Sequence, residues 1–146
     1  MDAADRIILK TLAENARTPI KGLAEKAFLS SPAVSARVDR MEKAGVIRSY
    51  QASLNLRALG YEILAFINLA MLPERRDEFR QWLDSCINVL ECHHVTGAYS
   101  LLMKVAFTNT AQMEQFVSQL QIYGTTQTQI VFSTLVEPRQ AVEHND

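Results

Sequence analysis

The sequence predicts an α+β protein in two parts, an N-terminal winged helix-turn-helix and a C-terminal ferredoxin-like βαββαβ sandwich. Three observations predict it. Residues 30–45 read as one helix with both ends marked and a narrow apolar stripe. Two shorter helical stretches precede it across tight joints, and an alternating segment follows it. From residue 61 the period changes, and strand-like and helix-like patterns succeed one another in the order β-α-β-β-α-β.

Asp2 suits an N-cap, and Ala4, Ile8, Thr11 and Leu12 follow helical spacing to about Asn15, with Ile7 and Leu9 widening the stripe. Arg17-Thr18-Pro19 breaks the pattern. Thr18 can cap and Pro19 can start a second helix that turns Ile20, Leu23, Ala24 and Ala27 inward. Phe28-Leu29-Ser30 is a short joint into the third helix. There Ser30 or Ser31 caps, Pro32 occupies a first turn where no N–H is lost, and Gly45 ends the helix because glycine takes the left-handed conformation without a Cβ clash. Val34, Val38 and Met41 form the apolar stripe. Small residues near a helix start let the backbone approach a DNA major groove, and guanidinium forks suit guanine edges and phosphates. The expected DNA contacts are therefore Ser31, Ala33, Ser35, Ala36, Arg37 and Arg40. Residues 46–54 alternate as a short strand where a wing would sit, which places Arg48 on a phosphate.

Residues 55–60 make a short connector. The run from Ile63 to Leu72 is almost continuously apolar, as a strand covered on both faces would be. Pro73-Glu74 opens a helix with Phe79, Trp82, Leu83 and Cys86 at i, i+3, i+4 and i+7. Residues 89–95 and 99–107 read as strands joined by a turn at Thr96-Gly97-Ala98. Thr108-Asn109-Thr110 caps a second helix whose Met113, Phe116, Val117 and Leu120 repeat the spacing of the first. Tyr123-Gly124 ends it, and residues 126–136 read as the last strand. Two helices cover one face of a four-stranded sheet, yet the first, third and fourth strands carry apolar residues on both faces. The second face predicts a symmetric homodimer. The domain expectation is 1–54 as a DNA-binding module, 55–60 as connector and 61–146 as a second domain that pairs with its copy.

Charge agrees with this division. The chain of 146 residues has net charge −1 and 48% hydrophobic residues, enough for real cores. Residues 1–54 hold nine Lys/Arg against six Asp/Glu, and the remainder six against ten, so a basic first third precedes an acidic remainder. No apolar run reaches the roughly 18 residues of a membrane span and no leader pattern opens the sequence. Two cysteines, Cys86 and Cys92, are too few for a disulfide framework. A cytoplasmic protein without membrane partners is expected.

The run Leu23-Ala24-Glu25, Leu29-Ser30, Val34, Arg37-Val38, Glu42, Gly45-Val46-Ile47 and Tyr50 resembles the winged helix of the leucine-responsive and asparagine-responsive regulators, the Lrp/AsnC family. So does the opening Asp5-Arg6 with Ile8-Leu9 and Leu12, followed by Asn15-Ala16-Arg17. The resemblance implies a sequence-specific transcription regulator of double-stranded DNA, with a C-terminal domain that binds an amino-acid-like effector between subunits. It also implies a homodimer, and dimers of this family often assemble into octamers. The family's effector signature, glycine, acidic residue, aromatic, aspartate, matches Gly97-Ala98-Tyr99-Ser100 with both acidic positions lost. Thr126 and Thr128 share one face of the last strand and, with this turn, are the other candidate effector residues. Without carboxylates at Ala98 and Ser100, weak binding or a preference for a less polar amino acid such as leucine or methionine is expected.

Other chemistry finds little footing. Cys92-His93-His94 offers at most two ligands from one strand, so no metal is expected. No nucleophile elbow, phosphate loop, dinucleotide fingerprint or catalytic carboxylate pair appears, and no cofactor is implied. One alternative stays open: some haem-pathway decarboxylases resemble this family and would use histidine and arginine near a tetrapyrrole.

Overall fold

Asp2 opens α1 (Ala3–Glu14) with a reciprocal cap. Its carboxylate accepts the Asp5 N–H at 2.9 Å, and the Asp5 carboxylate accepts the Asp2 N–H at 3.1 Å. α2 (Ile20–Ala27) begins behind Pro19 with no side-chain cap, because the Thr18 hydroxyl donates instead to the Asn15 carbonyl at 2.8 Å and closes the preceding turn. In α3 (Ser31–Lys43) the Ser30 hydroxyl accepts the Ala33 N–H at 3.4 Å, Pro32 occupies the first turn, and Gly45 follows with φ 71°. These helices bury Ile8, Leu23, Ala24, Ala27, Val34, Val38 and Met41 against one another, with Leu9, Leu12, Leu29 and Ile47 at the edge. The computed structural model describes residues 1–142; the last four residues of the expected 61–146 domain lie outside the described residues.

The strand expected over residues 46–54 does not form. The Val46 and Ile47 N–H groups both donate to the Met41 carbonyl, at 2.9 and 3.2 Å, and fold the segment back on the end of α3. The Tyr50 hydroxyl then donates to the Glu42 carboxylate at 2.7 Å. A strand exists only through a ladder, and among the described residues no segment pairs with this one.

The chain divides into two compact units, Met1–Ser53 together with the described segment from Val136, and Leu54–Leu135. In the second unit β1 (Ile63–Met71) is followed by a 3-10 turn at Pro73–Arg75 and α4 (Arg76–Asp84). β2 (Val89–His94), β3 (Leu101–Phe107), α5 (Thr110–Leu120) and β4 (Gly124–Ile130) complete it. The strands lie in the order β2-β3-β1-β4, every neighbour antiparallel, which is the ferredoxin-like arrangement. Ala65, Ile67 and Leu69 of β1 and Leu101, Met103, Val105 and Phe107 of β3 point to the helices and meet Phe79, Phe116, Leu120 and Tyr123. Trp82 stands among the aromatic rings of this core, 5.9 Å from Phe79, 5.2 Å from Phe116 and 5.3 Å from Tyr123.

The opposite face carries Leu64, Phe66, Asn68 and Ala70 of β1 beside Leu102, Lys104 and Ala106 of β3. It is less apolar than the sequence pattern predicts, because β4 ends at Ile130 and not at residue 136. Val131 still donates to the Leu64 carbonyl at 2.8 Å, but Phe132 and Leu135 lie past the ladder and are each 94% exposed. The β4 residues on the open face are Thr125, Gln127 and Gln129, which pair with Ala70, Asn68 and Phe66. On the other edge Glu91 of β2 lies 3.2 Å from His93 Nε2 and 3.5 Å from Lys104 Nζ. The His93 contact and the Lys104 charge hold Glu91 below the usual carboxylate range against the effect of burial. An apolar stripe of Leu64, Phe66, Leu102 and Ala106 thus runs between two polar edges.

Candidate DNA-contacting face and effector loop

With Val34, Val38 and Met41 buried, the helical repeat turns Pro32, Ala36, Asp39 and Lys43 outward, and all four are exposed. Arg40 lies beside them, exposed, with Ala33 half-buried next to it. Ser31 is exposed at the helix start, while Ser35 is half-buried on the opposite flank. The small residues expected at the groove, Ala33 and Ala36, are thus on or next to the outward face. Asp39 and Lys43, which the sequence already places off the apolar stripe, and Pro32 are not among the expected contacts, although their i, i+7 and i+11 spacing puts all three on the line of Ala36.

Arg37 stands elsewhere. It is three residues after Val34 and four before Met41, so it borders the buried stripe on the side of α1. Its guanidinium donates to Asp2 at 2.7 Å and to Asp5 at 2.8 Å, and Arg40 donates to both Asp5 oxygens at 2.9 and 3.0 Å. Asp5 is 2% exposed. Burial pushes its carboxyl up, but the hydrogen bonds from Arg37 and the Asp2 backbone and the charge of Arg40 outweigh it and hold the group below its ordinary value. The hydrogen bonds to the Asp2 and Asp5 carboxylates raise Arg37 in turn. Both bonds leave from one guanidinium nitrogen, Nη1, and draw the Arg37 side chain toward α1, away from the outward line of Pro32, Ala36, Asp39 and Lys43. Its position makes it a clamp between α1 and α3. Arg40, with 62% of its side chain exposed, keeps donors free to turn outward. Arg48 is exposed on the segment that follows α3. Burial and the Glu42 hydrogen bond together push the Tyr50 hydroxyl up to about 12, so this tether stays protonated at neutral pH.

The loop between β2 and β3 closes with the Val95 N–H donating to the Ser100 carbonyl at 2.9 Å. Gly97 reaches φ 112°, a conformation open to glycine and strained for other residues. Gly97 and Ala98 are exposed, and Tyr99 and Ser100 are half-buried. The Ser100 hydroxyl accepts the Met71 N–H at 3.3 Å and lies 3.4 Å from the Leu69 carbonyl, so it is taken up in holding the loop to the end of β1. The start of β4 lies at this same end, since Met71 pairs with Gly124 and Leu69 with Thr126. Thr126 and Thr128 do not belong to the open face. Their partners Leu69 and Ile67 point to the helices, so these two threonines are half-buried on the helix side and Thr125, Gln127 and Gln129 carry the open one.

Among the described residues no group of three or more His, Cys, Asp and Glu side chains is placed to hold a metal ion. Burial raises both thiols, Cys86 and Cys92, and keeps them protonated at neutral pH. Among the described residues no helix is long and apolar enough to cross a membrane.

A basic three-helix unit with an exposed recognition helix, joined to a four-stranded sandwich with one open face, defines a DNA-binding transcription regulator. Residues 1–48 match the family model for a winged helix-turn-helix DNA-binding domain, and residues 64–141 match that of the Lrp/AsnC ligand binding domain. The chain belongs to the Lrp/AsnC family of transcription regulators. It is 30% identical to the HTH-type transcriptional regulator LrpA of Mycobacterium tuberculosis over 97% of both chains. Among solved structures it resembles the feast or famine regulatory protein of M. tuberculosis complexed with L-methionine, with 30% identity, a TM-score of 0.90 and coverage of 97% of this chain and 99% of that one. It also resembles a transcriptional regulator of Neisseria meningitidis complexed with L-Met, with 26% identity, a TM-score of 0.88 and coverage of 94% and 93%.

Proposed function

We propose that this regulator acts as a homodimer whose subunits meet through the open sheet face, and that it responds to a small amino acid with an apolar side chain. In this reading residues 1–54 bind double-stranded DNA and residues from 61 onward bind effector and assemble. The DNA face consists of Ser31, Pro32, Ala33, Ala36, Asp39, Arg40 and Lys43, with Arg48 on a phosphate and Arg37 holding the helix in place. Ser35, half-buried, lies at the margin of this face.

The observation that carries the effector reading is the chemistry of the 95–100 loop. Gly97-Ala98-Tyr99 offers backbone N–H and C=O groups and one aromatic ring, and no carboxylate. Ser100 is engaged with β1. A ligand here is held by backbone polarity and apolar contact, with little to attract a charged side chain or to anchor an ammonium group strongly. The two relatives complexed with L-methionine support the same ligand class. Titration calorimetry of the full chain over the twenty amino acids tests it. Weak heats for leucine or methionine are expected, and tight binding of a basic or acidic amino acid overturns the reading. Silence from all twenty leaves a regulator with no amino-acid input.

The protein works by binding and not by catalysis. The relatives it matches are named transcriptional regulators, and α3 keeps a DNA-facing surface that a decarboxylase has no use for. Titration with a tetrapyrrole, read as visible absorbance, separates the two: a tight coloured complex favours the enzyme. A cytoplasmic location follows from the work on DNA, and dimers stacking to octamers is the assembly we expect beyond the pair.

A further inference from the structure

Phe28 is the one non-glycine residue with positive φ among the described residues, at φ 54° and ψ 43°. It ends α2. The Leu29 N–H donates to the Ala24 carbonyl at 3.0 Å, and the Phe28 N–H to the Glu25 carbonyl at 3.4 Å, a helix end that needs a left-handed residue at position 28. Turns of this kind between two helices often hold glycine, because a side chain at such an angle strains the backbone. A bulky aromatic is poorly suited to it. It also gains nothing inside the chain: Phe28 is 92% exposed, while Leu29 next to it turns into the core. A strained backbone carrying a large solvated ring points to a role outside the fold.

The ring's place says what that role is. Phe28 ends α2 and lies two residues before Ser30, the cap of α3, so it sits in the turn that leads into the start of the recognition helix. In helix-turn-helix docking the first residues of that helix meet base edges while the preceding helix crosses the backbone, so the turn between them lies at the rim of the major groove. An uncharged ring there has no way to neutralise a phosphate. It can pack on the 5-methyl group of thymine, the one apolar feature a base pair shows in that groove.

We propose that Phe28 is a DNA-contacting residue that selects thymine at the edge of each half-site. The proposal rests on the family's reading as a DNA-binding regulator. It sets a trade between stability and recognition: the ring is kept although glycine would relax the turn.

The experiment starts from duplexes selected out of a randomised library by the full-length chain. Phe28→Gly should melt at a higher temperature than the unchanged protein and bind the selected duplex about five- to tenfold more weakly, the size of an apolar anchor contact. Phe28→Ala, which removes the ring and keeps the strain, should lose the same affinity without gaining stability. The salt dependence of binding should be the same for all three proteins, since no phosphate contact is lost. Replacing the half-site thymines by deoxyuridine should weaken the unchanged protein and leave Phe28→Gly unaffected. Equal affinity of Phe28→Gly and the unchanged protein for the selected duplex overturns the proposal, and so does a loss of equal size on random duplex. Selection of no sequence by the unchanged protein overturns the regulator reading itself, and the proposal with it.

Discussion

Asp5 is a carboxylate buried in the face of α1 that packs on α3, and it takes hydrogen bonds from two arginines and from a backbone N–H. Removing it leaves Arg37 without one of its two partners and opens a polar gap at the helix contact. Asp5→Ala should therefore cost about 2–3 kcal/mol of stability, less than a fully buried pair because Arg40 can turn to solvent. Urea unfolding measures it, and a loss under half a kilocalorie would show the clamp to be ornamental. The pH dependence has a definite sign. The folded-state pKa of Asp5 is lowered, so its contribution is complete above the carboxyl's ordinary value near 3.8 and is lost as pH falls through the lowered one. Asp5→Asn should already be weaker at neutral pH and lose less on acidification. Arg37 should fall with it: Arg37→Ala destabilises the helix contact and weakens operator and random DNA alike. The clue to this pair was present in the sequence. Asp5 lies three residues before Ile8 on the apolar stripe, and Arg37 has stripe spacing to Val34 and Met41, so a charge of each sign borders one helix contact.

At the scale of elements, the helices were legible because their signals are local. Caps, glycine and stripe spacing placed α1, α3 and α5 to within a residue or two. The strands were legible only in part, since a strand depends on what lies beside it. Residues 46–54 alternate and still make no strand, for want of a partner. β4 stops at Ile130, opposite Ala65, close to where β1 itself begins at Ile63, and the apolar residues beyond have nothing to pair with. Period-two alternation showed that Thr126 and Thr128 share a face but not which face. Gly124 joins the last turn to β4 and was read only as a helix terminator. Its φ is 153°, and a Cβ there would lie 2.0 Å from the Ala70 carbonyl oxygen. Gly124→Ala must push β4 away from β1 at the end of the sheet that carries the 95–100 loop. A cost of about 2–4 kcal/mol is expected, from overpacking added to backbone strain. Thermal melting checks it, and an unchanged melting temperature would mean that the strands part there at little cost.

For the whole molecule the question is what covers the second face of the sheet. The sequence showed that β1 is apolar on both sides but not which residues go where. The register now separates them: Ile67 points to the helices and is fully buried, whereas Phe66 lies half-buried on the open face between Lys104 and Gln129. Adjacent residues therefore test different things. Ile67→Asp places an unpaired charge in the core of one subunit, and the chain should fail to fold. Phe66→Asp leaves that core intact and places a charge on the apolar stripe of Leu64, Leu102 and Ala106, so it should fold and lose its partner. Circular dichroism reads folding and sedimentation reads mass, on the same samples. A folded monomer of Phe66→Asp beside a dimer of the unchanged protein is the expected result. DNA affinity should then drop steeply, because a monomer holds one recognition helix and a paired site needs two about one turn of the duplex apart. If Phe66→Asp still sediments as a dimer, the subunits meet through another surface, and the stripe on the open face is not what holds them together.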